Sequence, residues 1–202
     1  MQPVRREPNP LWRARLFSVL VTLLASLPLG FAQAPSGYYP ATPGLAWTYD
    51  NGETQSLSGP IETETGPRMR LTHAFDGVPV SEEILSFEPD GSVLHHGTAA
   101  GGTVMPYDPP LLVYPAPPLQ PGDGWQSSTR AGGVDVTLAT EVLGLLGVAT
   151  PAGRFNALHL RQTTLTSTGG RTMLDLFYVP TVGIVRFVTQ DGTTIDLIER
   201  IP

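Results

Sequence analysis

The chain has no cysteine among its 202 residues. Disulfides, thiolate metal sites and a cysteine nucleophile are excluded, and so is a lipid-modified cysteine after an export signal. Lysine is also missing: all 12 basic residues are arginines, a bias from which no function follows. There is no Gly-x-Ser-x-Gly elbow and no Ser-x-x-Lys pair, so the common serine-nucleophile arrangements are absent. No Walker loop and no dinucleotide fingerprint occurs; the Gly-Gly pairs read as hairpin turns. Beyond the N-terminus, no long 3.6-residue apolar stripe with caps is found, which leaves room for at most a minor helix.

What is present is punctuation and alternation. Gly (22) and Pro (21) are spread through the chain as turn residues rather than as a repeat. Hydrophobic residues make up 41% and charged residues 15%, a balance that suits a folded globule.

Residues 1–32 read as a secretory signal. Arg5, Arg6, Arg13 and Arg15 precede the apolar stretch Leu16–Phe31, which Pro28 breaks near its end. Gly30-Phe31-Ala32 places small residues for cleavage after Ala32, whereas a cut after Ala34 would leave Pro35 next in line. An uncleaved anchor is the rival reading, but the stretch is short for a span of about 20 residues. Residues 1–32 carry four Arg and one Glu, so the remainder holds 8 basic and 17 acidic residues, a net of −9. That balance argues against nucleic acid as a partner. It argues against binding an anionic membrane as well, and no stable membrane insertion is expected once the signal is removed. The signal itself predicts an exported protein of the periplasm or exterior of a bacterial cell envelope.

Residues 33–46 form a Pro/Gly/Tyr-rich lead-in, and a single β domain is expected over 47–202. Asp50-Asn51-Gly52, Asp76-Gly77 and Asp90-Gly91 are hairpin turns, each tolerating the positive φ that a tight turn requires. Glu53–Ser58 and Ile61–Thr65 read as short polar strands at an edge. Over Arg68–Phe75, Met69, Leu71, His73 and Phe75 share one face of a half-buried strand. Val80–Glu88 returns, with Leu85 and Phe87 on one face. Residues 101–124 carry seven prolines, and a central strand or helix interior is not expected there. This segment is read as a crossing between two halves of the sheet, with a lid as the alternative. The sheet resumes with Val134, Val136, Leu138 and Val142 on one face. Leu143–Gly147 carries the chain past a bend, and turns at Pro151–Gly153, Gly169-Gly170, Pro180–Gly183 and Asp191-Gly192 separate the last strands.

Four short elements carry a resemblance. They are Tyr39-Pro40 with Gly44 and Trp47-Thr48-Tyr49; Pro121-Gly122-Asp123-Gly124-Trp125; Thr150-Pro151-Ala152-Gly153-Arg154-Phe155; and Tyr178-Val179-Pro180 with Val182-Gly183-Ile184-Val185. In order and spacing they resemble a group of exported bacterial proteins of unknown function. That group is related in fold to the periplasmic lipoprotein-localisation factors, whose curved sheet forms an open half-barrel around an apolar cavity. The resemblance implies an all-β fold, a curved antiparallel meander forming an open half-barrel. It brings no catalytic residue and no cofactor.

Candidate chemistry is sparse. His73 and His159 lie on strands and could seed a metal site or a hydrolase; adjacent His95 and His96 point to opposite sheet faces, so at most one could join them. Asp123, Asp175 and Asp196 could orient a base. Glu62 and Glu64 share a strand face, and Glu82-Glu83 is a second carboxylate pair. No constellation converges, so no catalytic residue, metal ligand or cofactor is assigned. The expected function is non-enzymatic binding of an apolar or lipid-like small molecule, or of an envelope protein, on a face bearing Met69, Leu71, Phe75, Val136 and Leu138. A structural or protein-interaction role in the envelope is the alternative.

Overall fold

A computed structural model describes residues 37–202. The expected signal over residues 1–32 lies outside them, as does the start of the lead-in. Twelve strands follow one another in sequence: β1 (Ala46–Tyr49), β2 (Glu53–Thr63), β3 (Gly66–Phe75), β4 (Val78–Phe87), β5 (Val93–Ala100), β6 (Thr103–Tyr114), β7 (Gly124–Ala131), β8 (Val134–Thr150), β9 (Gly153–Thr166), β10 (Arg171–Val179), β11 (Gly183–Thr189) and β12 (Thr194–Ile201). No helix occurs among the described residues.

The meander is as expected, but it does not stay open. Each strand pairs antiparallel with its sequence neighbours, and β1 also pairs with β12, Ala46 opposite Ile201 and Trp47 opposite Arg200. The sheet is therefore a closed twelve-stranded barrel and not a half-barrel. Closure leaves no edge strand to protect, which removes the reason for reading Glu53–Ser58 and Ile61–Thr65 as edge pieces. They are one strand, β2, with a register shift between Ser58 and Ile61.

The proline-rich crossing is corrected as well. Thr103–Tyr114 is strand β6, and only residues 115–123 form a connection. Its prolines are tolerated because β6 is bonded on one side at a time. Thr103–Pro106, Leu111, Leu112 and Tyr114 pair with β5, while Tyr107 and Asp108 pair with β7. A residue without an N–H is compatible with a strand wherever its free side faces no partner.

Local chemistry explains the turns. Asp76 (φ 49°) and Gly77 (φ 76°) both take positive φ, the type I′ geometry that matches strand twist. The Pro121–Trp125 element is a brace. Asp123 accepts from Gln120 N through its carboxylate at 2.7 Å, and its own carbonyl accepts from Val142 N at 2.8 Å. The β8–β9 hairpin breaks register at Val142/Gly144, the bend expected there, and its tip lies on β11 and β12. Ala152 N donates to Leu197 O, and Arg186 Nη2 donates to Ala149 O.

The interior holds two apolar clusters. One includes Tyr38, Tyr39, Leu119, Val142, Leu160 and Tyr178; the other includes Trp47, Tyr49, Leu57, Val148, Val185 and Leu197. Burying each such large side chain stabilises the fold by roughly 1.5–3 kcal/mol. The lead-in is thus part of the core. The Tyr38 carbonyl lies beside the Pro180–Gly183 turn: Thr181 N and the Tyr178 hydroxyl both donate to Tyr38 O. Tyr39 donates to Pro115 O at 2.9 Å and stacks on Tyr114.

Candidate binding site

Period-two alternation brings four polar side chains from three adjacent strands into the barrel. On β2, Glu53 and Gln55 precede buried Leu57 on the inward face. On β3, His73 follows Leu71 on the inward face. On β4, Glu83 has the parity of Leu85 and Phe87. Register then sets them side by side, Gln55 opposite His73 and Leu71 opposite Glu83.

These groups form one polar cluster. His73 Nδ1 meets Glu53 Oε1 at 2.7 Å, and His73 Nε2 lies 3.4 Å from Glu83 Oε1. Gln55 Nε2 donates to Glu53 Oε1 at 2.9 Å. The second imidazole contact is too poor for a hydrogen bond: Nε2 is buried and has no partner among the described residues. Burial opposes a charged His73, but the hydrogen bond to Glu53 and the field of Glu83 outweigh it, and its pKa is pushed up to about 9. The His73 hydrogen bond holds Glu53 below the usual carboxylate range. For Glu83, burial acts upward, yet His73 and His95 prevail and its pKa is lowered.

The cluster faces a cavity of about 380 Å³ within the barrel. Apart from the cluster and Gln162, its walls are apolar or aromatic, among them Leu71, Leu85, Val113, Leu176, Phe187 and Ile195. An adjoining hollow of about 100 Å³ shares Leu71, Leu85, Val93 and Tyr114 with it and continues to Trp47, Tyr39 and Tyr178. Glu83 keeps 34% of its side-chain surface accessible although it points inward, because that surface faces the cavity. The space is thus amphipathic: carboxylates and an imidazole toward the end bearing the Asp50–Gly52 and Asp76-Gly77 turns, aromatic and aliphatic walls toward the other.

The face expected from sequence is only partly assembled here. Leu71 lines both hollows and Met69 packs on the second core cluster. Phe75 is 40% exposed. Leu138 is buried and Val136 half-buried on β8, which contributes no wall to either hollow. Glu53 was missed as a site residue. Its signal was parity with Gln55 and Leu57, the same signal that would have separated Glu83 from Glu82. Glu62 and Glu64 are exposed.

His159 lies elsewhere. It stacks on Phe177, and its Nε2 is 3.2 Å from Asp175 Oδ2. Asp175 is engaged by Arg161 through two hydrogen bonds at 2.8 and 2.9 Å, which hold its pKa down. Asp196 is likewise paired, with Arg186. His95 contacts Gly97 O and the Tyr107 ring, and His96 Nε2 meets Ser86 Oγ at 2.8 Å. No group of three or more His, Asp or Glu side chains suited to a metal ion occurs among the described residues.

No family model and no curated protein matches the chain. Two solved structures are similar to it. One is a candidate lipoprotein from Parabacteroides distasonis, 13% identical, covering 81% of this chain and 98% of that one with a TM-score of 0.47. The other is a candidate exported protein with a YmcC-like fold from Bacteroides fragilis, 16% identical, covering 82% and 99% with a TM-score of 0.45.

Proposed function

We propose that this chain is an exported, non-enzymatic binding protein whose barrel holds an apolar or lipid-like small molecule. The observation that carries the reading is the cavity of about 380 Å³ bounded mainly by apolar and aromatic side chains inside an otherwise well-packed barrel. Its volume falls in the range of about 300–1,000 Å³ typical of small-molecule sites, and few polar groups among apolar walls is the usual composition of such sites. Export to the envelope is supported by the charge and apolar pattern of residues 1–32.

The test is binding of N-phenyl-1-naphthylamine, a neutral apolar fluorophore. Its emission rises on addition to the wild-type protein. Leu71→Trp, which places an indole in both hollows, abolishes the rise while the protein stays folded by circular dichroism. An unchanged rise in Leu71→Trp rules out the lumen as the binding place. If that variant unfolds, Val93→Phe supplies the same test from β5.

A protein-interaction role is the second reading. Leu143, Leu145 and Leu146 are 44%, 58% and 47% exposed at the β8 bend. Exposed apolar side chains gathered at one bend are candidates for a contact surface. Leu145→Ser with Leu146→Ser then reduces association seen by light scattering; a monodisperse wild-type protein removes self-association from this reading.

A further inference from the structure

We infer that the barrel selects an amphiphile with a cationic ammonium head, seated against the Glu83 carboxylate, with its apolar body along Leu71, Leu85 and Tyr114. This inference rests on the lumen being a binding site and adds the chemistry of its occupant.

The charge of the cavity is the first argument. The ionisable wall groups of the two hollows are Glu53, His73 and Glu83, together with Tyr39, Tyr49, Tyr114 and Tyr178, whose phenols burial keeps neutral. No arginine lines either hollow. Two carboxylates against one imidazolium leave the trio at −1, and against a neutral imidazole at −2. An anionic head meets repulsion in either state, and a neutral one gains no charge pairing.

Unfilled bonding capacity is the second. Glu53 Oε1 already receives both His73 Nδ1 and Gln55 Nε2. The Glu83 carboxylate meets its imidazole neighbour only at 3.4 Å, and that nitrogen is left without a hydrogen bond. The Glu83 carboxylate therefore presents open acceptor capacity to the cavity, and an ammonium group with several N–H donors is its complement. His73 does not supply the deficit, because its Nδ1 is committed to Glu53 and its Nε2 stands 3.4 Å from Glu83 without a hydrogen bond.

Shape is the third argument. The polar trio sits on the β2–β4 wall, while the opposite walls and the Trp47 end are aliphatic or aromatic. A head-and-tail ligand satisfies both regions at once; a wholly apolar one would strand the charged trio without solvent.

The experiment compares three probes with one tail: decylamine, 1-decanol and decanoate, titrated by calorimetry near neutral pH. Decylamine is expected to bind at least about tenfold more tightly than decanol, and decanoate more weakly than decanol, the order that a net negative site dictates. Glu53→Gln with Glu83→Gln erases the preference for the amine and retains decanol binding. Glu62→Gln with Glu64→Gln, which alters exposed carboxylates, changes nothing. Glu83→Gln alone leaves the Glu53–His73 hydrogen bond in place and serves if the double variant fails to fold. If decanol binds and the amine gains nothing, or the lumen variants keep the full preference, the head-group assignment is overturned while the lumen reading stands. If none of the three probes binds, the lumen reading falls and this inference with it.

Discussion

His73 makes stability depend on pH in a direction set by its partners. Its folded pKa of about 9 stands above the ordinary 6.5, so the folded chain holds a proton that the unfolded chain releases. The stabilisation is fully present below about 6.5, declines as pH rises, and is gone above about 9. A gap of about 2.5 units at 1.36 kcal/mol each sets an upper bound of roughly 3 kcal/mol, reached only in part because the Nε2 contact with Glu83 at 3.4 Å is not a hydrogen bond. Glu53 (β2) and Glu83 (β4) are the facing charges, and His95 (β5) adds to the field on Glu83. The two carboxylates express the same interaction from the other side, so their lowered pKa values are not added to the figure. The assay is urea unfolding followed by tryptophan emission, for wild type and His73→Gln, at about pH 6 and at about pH 10. Wild type should lose more than the variant between those limits, by about 1 to 3 kcal/mol. Equal losses would refute a protonated His73 held by two glutamates.

The β6–β7 seam is the second point of test. Ser127 Oγ accepts from Leu112 N at 2.9 Å and Trp125 Nε1 donates to Val113 O at 3.0 Å, so side chains stand where a ladder would run. Ser127→Ala should cost about 1 kcal/mol in urea unfolding and speed amide exchange over Leu111–Tyr114 before any other strand. Gly183 is the third. It takes φ +108°, and an added Cβ would meet Trp47 Nε1 at 3.0 Å, against the 2.7 Å bond from that nitrogen to Val182 O. Gly183→Ala should cost at least about 1 kcal/mol and shift Trp47 emission to the red; an unchanged midpoint and spectrum would show the turn to be adaptable.

Much of the barrel was legible because its code is short-ranged. Asp-Gly and Gly-Gly turns and period-two alternation name hairpins without knowledge of the rest of the chain, and most strands fall where those signals place them. Closure was not legible, since it depends on Ala46–Tyr49 meeting β12 across the length of the domain. The site was half legible. Each of Glu53, His73 and Glu83 carries the parity of an inward residue, but a charged residue at such a position reads by itself as a solvated face. Only the register between β2, β3 and β4 shows that the three converge.

Strand β6 forms in spite of Pro106, Pro109 and Pro110. Prolines exclude a strand only if every residue must be bonded on both sides. Here the partners alternate: β5, then β7, then β5 again. The barrel closes through β6 with two backbone residue pairs to β7 and side-chain bonds for the rest. The proline-bearing strand has the fewest backbone bonds to break on its β7 side, and Val113 and Tyr114, at its end, line the cavity. The residues that argued against a strand by sequence therefore mark the part of the wall that costs least to open.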